Sequence, residues 1–174
     1  YAYDLDQHLV GQTDAMGHVT TFTVDALGNR LESVDAKGNH TRYAYDVNNR
    51  VIQVTDALNQ TTGTTYDAVG NVTRTVDARG NATIFSVDAI NQLTTTTDAL
   101  GNVTSYLYDL VGNHIETVDA NGHHTLYAYD EVNHLVATTD GLGNVTRYVV
   151  DPAGNRIETI DANGHSTRYT YYAD

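Results

Sequence analysis

The chain has 174 residues, a formal net charge of −13 and no cysteine. Nine Lys and Arg against 22 Asp and Glu argue against a surface that binds nucleic acid, because such surfaces need clustered cations that displace counterions. Without cysteine there is neither a disulfide framework nor a thiolate metal site. No apolar run approaches the roughly 20 residues that cross a bilayer as a helix, so we expect no membrane-spanning segment.

A column of aspartates divides the chain into regular segments. Its steps alternate between 10 and 11 residues, so the repeating unit has 21 residues and two unlike halves. Only Asp6 and Asp174 lie outside the column. An internal period of this size is typical of a solenoid, a propeller or an array of hairpins. The column comprises Asp4, Asp14, Asp25, Asp35, Asp46, Asp56, Asp67, Asp77, Asp88, Asp98, Asp109, Asp119, Asp130, Asp140, Asp151 and Asp161.

Each column aspartate begins a predicted turn. Three residues later the chain has Gly or Asn, as in "DALGN" at Asp25 and "DVNN" at Asp46, and only Gln7 departs from this rule. Gly and Asn accept a left-handed backbone at low cost, and Asp at the first position of a type I turn can accept a hydrogen bond from the N–H two residues on. A type I turn followed by a left-handed residue connects the strands of a β-hairpin. The turns therefore predict that the chain reverses at every column aspartate.

The segments between turns predict strands of five or six residues. One half of each unit has Thr, then an aromatic or small residue, then Tyr or Val, at a spacing of two residues, as in Thr41, Tyr43 and Tyr45. This spacing puts the three columns on one face of a strand, which we expect to be the packed face. The other half of each unit lacks these aromatic columns, as in "RLESV" and "VIQVT". Thr, Val and Tyr dominate and no 3.6-residue stripe occurs, so helices are not expected.

A 42-residue super-unit overlies the 21-residue unit. The left-handed turn position alternates between Gly and Asn, in Gly28, Asn49, Gly70, Asn91, Gly112, Asn133 and Gly154. Alternate hairpins are therefore expected to meet different surroundings. We predict an all-β fold, a repetitive antiparallel β-hairpin array that forms a long curling or spiralling sheet. The alternative is a parallel β-solenoid with 21 residues per coil. Thr41 and Thr62 lie two strands apart in the first fold and one strand apart in the second.

The unit resembles the YD-repeat family, also called Rhs repeats, which includes bacterial Rhs proteins, the shell proteins of insecticidal toxin complexes and the teneurins. Tyr-Asp pairs such as Tyr45-Asp46 and Tyr108-Asp109 carry the resemblance, and about eight copies in register cover the whole chain. The resemblance implies a sheet of β-hairpins that spirals, in many members around a toxin or an empty cavity. The family's Gly-Arg after Tyr-Asp is mostly Gly-Asn here, with Arg at Arg30, Arg50 and Arg156.

The expected organisation is one continuous YD-repeat array over residues 1–174, forming part of a longer repeat protein, because the chain begins inside a repeat. The expected function is structural: the wall of a secreted or cell-surface shell, tube or fibre. Its partners would be neighbouring repeats, other copies through the sheet edges, and an encapsulated toxin or a surface glycan. The alternative is an adhesin-type module whose aromatic face engages carbohydrate.

No catalytic, cofactor or metal site is expected. The aspartate column could bind Ca²⁺, but each turn offers one carboxylate, so turn capping is the preferred interpretation. His123, His124 and His165 lie at turns without a regular partner and are interpreted as solvated. Ser33, Ser86, Ser105 and Ser166 fall in variable strand positions, and no nucleophile, base and orienting group recur together. The carboxylate pair of Asp4 and Asp6 belongs to an irregular first turn. The sequence therefore predicts that the array is not an enzyme.

Overall fold

The computed structural model describes residues 1–171, so Asp174 lies outside the described residues. All described elements are strands, 17 of them. No helix long and apolar enough to cross a membrane occurs among the described residues. The strands are β1 (Ala2–Tyr3), β2 (Leu9–Thr13), β3 (Val19–Val24), β4 (Arg30–Val34), β5 (His40–Tyr45), β6 (Val51–Thr55), β7 (Thr61–Tyr66), β8 (Val72–Val76), β9 (Ala82–Val87), β10 (Leu93–Thr97), β11 (Val103–Tyr108), β12 (His114–Val118), β13 (His124–Tyr129), β14 (Leu135–Thr139), β15 (Val145–Val150), β16 (Arg156–Ile160) and β17 (Ser166–Arg168).

The chain divides into two compact units, Tyr1–Ile84 and Phe85–Asp174. In the first unit, each strand pairs antiparallel with the next along the chain from β1 to the start of β9. In the second unit, the same sequential pairing runs from β10 to β17. The chain therefore reverses at every turn, which confirms the antiparallel hairpin array and contradicts the parallel solenoid.

The pairing partners of two threonines distinguish the hairpin array from the parallel solenoid directly. Thr41 of β5 pairs with Ser33 of β4, and Thr62 of β7 pairs with Val54 of β6. Val54 also pairs with Tyr43 of β5. The two threonines are therefore two strands apart, as the hairpin array requires.

Within each unit, the turns form two rows, one at each end of the strands. We call the row that carries the Tyr-Asp pairs the YD edge; its turns begin at Asp4, Asp25, Asp46 and Asp67 in the first unit and at Asp88, Asp109, Asp130 and Asp151 in the second. The other turns, which begin at Asp14, Asp35, Asp56, Asp77, Asp98, Asp119, Asp140 and Asp161, form the opposite edge. Within each unit, the hairpins of the YD edge contain a register shift at the pair nearest the turn, as between Leu107 and Tyr108. The hairpins of the opposite edge pair without such a shift.

The aromatic columns lie on the less exposed face of a single layer. Thr41, Tyr43 and Tyr45 are half-buried, whereas their neighbours His40 and Arg42 on the other face are exposed. This confirms the prediction that the aromatic columns share the less exposed face of the strands. Its packing is shallow, since among the described residues the only hydrophobic side chain classed as buried is Phe22, 8% exposed. Most of the fold's stabilisation must therefore come from main-chain ladders and turns, as in an array of nearest-neighbour contacts.

Candidate functional site: the aspartate turns and the aromatic face

The same hydrogen-bonded turn occurs at all sixteen column aspartates. In each turn, the N–H of the fourth residue donates to the aspartate carbonyl, and the aspartate N–H donates to the carbonyl of the fifth residue. The fourth residue always has a positive φ, between 60° and 109°. This is the type I turn with a left-handed residue that the sequence predicts. The prediction that the first turn is irregular is wrong. Gln7 has a φ of 67° and makes the same backbone hydrogen bonds as the fourth residue of the other turns.

The aspartate side chain caps its own turn. In every turn one carboxylate oxygen accepts the N–H groups of the third and fifth residues. In fourteen turns the side chain of the fifth residue bonds the other oxygen. Asn81, for example, donates its amide N–H to Asp77 Oδ2 at 2.8 Å, and Arg50 donates its Nε–H to Asp46 Oδ2 at 2.7 Å. The carboxylate is thus held by its own hairpin.

The histidines at the turns follow the same rule, so the prediction that they lack a regular partner is wrong. His123 Nδ1 lies 2.9 Å from Asp119 Oδ2, and His165 Nδ1 lies 3.0 Å from Asp161 Oδ2. His124 faces the carboxylate of Glu116 on the adjacent strand. Each histidine therefore meets one carboxylate, and no cluster of three or more metal-ligating side chains is found in residues 1–171.

The capping bonds lower the pKa values of fourteen turn aspartates. At Asp77 the Asn81 side chain is the largest cause and the backbone N–H donors add to it, so the pKa lies below its ordinary value of 3.8. At Asp130 the backbone N–H of His134 is the largest cause of a lowered pKa. Fewer protons are therefore bound in the folded chain than in the unfolded chain, and this contribution to stability is complete only above 3.8.

We expect acid to unfold the array progressively as the pH falls through 3.8 and then through the lower pKa values of the folded chain. Removing the side-chain donor in Asn81→Ala should raise the pKa of Asp77 toward 3.8, while that of Asp98, capped by Asn102, should not move. Carboxyl carbon NMR titration measures both residues in one sample. Equal pKa values for Asp77 in the two proteins would contradict this account.

Turns along the YD edge contact one another, and the contact explains the 42-residue super-unit. A Cβ added at Gly28 would lie 2.8 Å from His8 Cδ2, and one at Gly154 would lie 2.9 Å from His134 Nε2. The long side chain of one turn thus lies against the left-handed residue of the next turn. Arg50 reaches further, and donates to the carbonyl of Asp67 at 3.2 Å.

Where the fifth residue is the shorter Asn, the next turn has Asn in place of Gly. Asn29 donates to the Oδ1 of Asn49 at 3.0 Å, and Asn113 donates to the Oδ1 of Asn133 at 2.8 Å. Along the YD edge, the fifth turn residue therefore alternates between a long side chain and Asn. The fourth residue of the following turn alternates in step between Gly and Asn. This confirms that alternate hairpins meet different surroundings, and the surroundings are the neighbouring turns. On the opposite edge, no atom lies within 4 Å of a Cβ built at its left-handed glycines, such as Gly38.

In several units, a tyrosine at the position that ends in the Tyr-Asp pair ties its hairpin to the one before it. The hydroxyls of Tyr45, Tyr66, Tyr129 and Tyr171 each donate to a carbonyl fifteen residues back, at 2.8–3.1 Å. Each acceptor, such as the carbonyl of His114 for Tyr129, lies at the register shift, where the shifted pairing interrupts the regular ladder. The role of the pair in these units is thus local: Tyr connects two hairpins and Asp closes one.

Replacing Tyr129 with Phe should lower the free energy of unfolding by about 1 kcal/mol, the typical net value of one hydrogen bond. Tyr127→Phe is the matched control, since the Tyr127 ring contacts the His114 ring at 4.6 Å between centroids and keeps that contact in the variant. Urea unfolding of both variants measures the difference. Equal losses in the two variants would contradict a role for the Tyr129 hydroxyl.

The faces of several aromatic rings are already covered by cations. The guanidinium of Arg30 lies 3.8 Å from the centroid of the Phe22 ring, and that of Arg156 lies 3.8 Å from the Tyr148 ring. His114 occupies the equivalent position in another unit and contacts the rings of Tyr106 and Tyr127. The register shift turns the first residue of the five-residue strand toward the aromatic face, and this contact was not visible in the sequence.

The repeat and its turns identify a known family. The family model described as RHS Repeat matches residues 3–40, 24–61, 45–82, 87–124 and 108–145, which together make up more than half of the chain. The chain belongs to the RHS-repeat family. No curated protein sequence matches this RHS-repeat chain.

Solved structures of Tc toxin proteins have the same fold. The crystal structure of TcdB2-TccC3-Cdc42 matches with a TM-score of 0.73 and 21% identity, over 87% of this chain and 10% of that chain. TcdB2-TccC3 without its hypervariable C-terminal region matches with a TM-score of 0.71, 21% identity, and the same two coverages. The Photorhabdus luminescens Tc holotoxin pore with a mutated TccC3 matches with a TM-score of 0.71 and 21% identity, over 87% of this chain and 9% of that chain. This RHS-repeat chain thus spans about a tenth of each of these chains, and the likeness shows the fold.

Proposed function

We propose that this chain is wall material of a secreted or cell-surface shell, tube or fibre, and that it is not an enzyme. The observation that carries the proposal is the uniformity of the turns: the carboxylate of every column aspartate is used to cap its own hairpin, with a left-handed residue at the same place each time. Side chains engaged in this way support a backbone and leave no recurrent group for chemistry. The Tc toxin chains that share the fold support a shell.

Wall material of this kind should associate through the open strands at its ends. Exposed backbone donors and acceptors of an edge strand pair readily with another chain. β17, whose residues are all exposed, is such a strand in a recombinant fragment of residues 1–174. Sedimentation velocity should show association that increases with concentration. Arg168→Pro should reduce it, because Arg168 stands opposite Glu158 in a pair without main-chain hydrogen bonds, so its N–H faces the open edge and proline removes that donor. A fragment that stays monomeric at all concentrations would contradict the proposal.

The carbohydrate-binding alternative has weaker support. A sugar ring stacks on the open face of an aromatic ring, and Arg156 already covers Tyr148 at 3.8 Å. The Tyr106 hydroxyl also lies 3.3 Å from the Thr96 hydroxyl. We therefore expect no glycan-array signal that weakens in Tyr106→Ala or Tyr148→Ala. A signal lost in both variants would favour the adhesin.

A further inference from the structure

The chain contains six Asn-x-Thr sequences, and five of them lie on the opposite edge. Asn-x-Thr without proline in the middle is the acceptor sequence for N-linked glycans. At four of these five sites the asparagine is the fifth residue of its turn, and the threonine belongs to the column that contains Thr41. The sixth asparagine, Asn71, lies on the YD edge and is half-buried. The five acceptors of the opposite edge are Asn39, Asn59, Asn81, Asn102 and Asn144.

These five asparagines are exposed, and their turns leave room for a large group. Neighbouring turns of this edge within a unit are two strands apart, or roughly 9.6 Å. No atom lies within 4 Å of a Cβ built at the left-handed glycine that precedes four of them, namely Gly38, Gly80, Gly101 and Gly143. A sugar on one of these asparagines therefore extends into solvent without displacing another turn.

The amide groups at the fifth turn position have an N–H to spare. Asn81 donates one N–H to Asp77 Oδ2 at 2.8 Å, and Asn102 donates one to Asp98 Oδ2 at 2.7 Å. Neither amide makes a second hydrogen bond within residues 1–171. An amide nitrogen that carries a sugar retains one of its two N–H groups. The glycan and the aspartate cap are therefore compatible.

The asparagines that join turns on the YD edge differ on each of these points. Asn29 is half-buried and donates both amide N–H groups, to Asp25 Oδ2 and to Asn49 Oδ1. The residue two positions on is Leu31 instead of Thr. Asn113 repeats this arrangement, again with an apolar residue two positions on. Exposed acceptor sequences are thus confined to the opposite edge.

We propose that the five acceptors of the opposite edge carry N-linked glycans. The Nδ2 atom of each asparagine bonds to the anomeric carbon of a sugar whose donor is a nucleotide-linked or lipid-linked phosphate. The bond from that carbon to the donor phosphate breaks, the phosphate leaves with the bonding electrons, and a base of the transferase takes one amide proton. Because the acceptor threonines are half-buried in the folded strands, the transfer precedes closure of the hairpins. The inference rests on the proposed function, since these glycans mark exported proteins, and it gives the wall one glycosylated edge and one bare edge.

Mass spectrometry of glycopeptides from the exported protein tests the proposal. Electron-transfer fragmentation locates each sugar, and we expect sugars at the five acceptors and none at Asn29 or Asn113. A single hexose at each site would identify a nucleotide-linked donor, and an oligosaccharide would identify a lipid-linked donor. Five bare asparagines in the exported protein would overturn the glycans and leave the wall function standing. A protein found only inside the cell would overturn the exported wall and the glycans with it.

Two variants of Thr41 separate the acceptor sequence from the turn. Both keep Asn39 and its bond to Asp35 Oδ2 at 2.8 Å. Thr41→Ser retains the acceptor hydroxyl and should keep the sugar on Asn39, whereas Thr41→Val should lose that sugar. The other four acceptors serve as internal controls and should stay modified in both variants. A sugar on Asn39 in Thr41→Val, or its loss from Asn39 in Thr41→Ser while the other four keep theirs, would overturn the assignment.

Discussion

Gly154→Ala should destabilise the array more than Gly143→Ala, although both glycines have a φ of 84°. The shared left-handed strain costs about 1–2 kcal/mol in each variant. At Gly143 the new methyl group meets nothing within 4 Å, but at Gly154 it would lie 2.9 Å from His134 Nε2. His134 would have to move away from Asp130, which lies 3.1 Å from its Nδ1. We expect an additional loss of about 1–2 kcal/mol for Gly154→Ala, in the range of overpacking, measured by urea unfolding.

A double-mutant cycle identifies the cause of that difference. His134→Ala removes the ring that the methyl group meets, so Gly154→Ala in the His134→Ala background should cost no more than Gly143→Ala. Residues in contact show such coupling, whereas distant residues add independently. If Gly154→Ala and Gly143→Ala cost the same in the original chain, the contact between adjacent turns would not be energetically significant.

Phe22→Ala should be the most damaging strand substitution in the first unit. Phe22 is 8% exposed and is the buried hydrophobic side chain among the described residues, and Arg30 stacks on its ring at 3.8 Å. Phe→Ala costs about 3–5 kcal/mol in a full core, and in a single layer we expect about 2–3 kcal/mol. Urea unfolding measures the loss, and amide hydrogen exchange should show it concentrated in β3 and β4.

Thr23→Ala is the control for Phe22→Ala. Thr23 neighbours Phe22 on the same strand but is exposed on the other face, so its replacement should change stability by less than about 0.5 kcal/mol, as for ordinary surface positions. Thr64 holds the equivalent position in a later unit, so a small residue is compatible with the fold there. A loss at Phe22 no larger than that at Thr23 would show that the aromatic face contributes little.

The turns could be predicted from the sequence because their determinants are local. An aspartate, a left-handed residue three positions on, and β-forming segments of constant length specify the hairpin without distant information. The same reasoning misjudged Gln7, whose φ of 67° follows the turn although its side chain does not favour it. There the regular ladder on both sides of the turn determines the backbone.

The contacts between turns could not be predicted, because they depend on which turns become neighbours in space. Asn29 and Asn49 are 20 residues apart and meet only when two strands separate them in a sheet. The partner of His123 is four residues away, and the regular appearance of Asn, His, Arg or Gln at the fifth turn position was a signal that could have revealed it. The cations on the aromatic face, such as Arg30 on Phe22, depend on a register shift that the spacing alone does not specify.

Cross-strand NMR contacts of two threonines test the central claim, that the chain reverses at each column aspartate, most directly. Nuclear Overhauser effects should connect Thr41 with Ser33 and Thr62 with Val54, the pairs that the register defines. Thr41 and Thr62 should show no direct contact, since β6 lies between their strands. A strong Thr41–Thr62 contact without the other two would mean that the strands stack in the same direction, and would contradict the hairpin array.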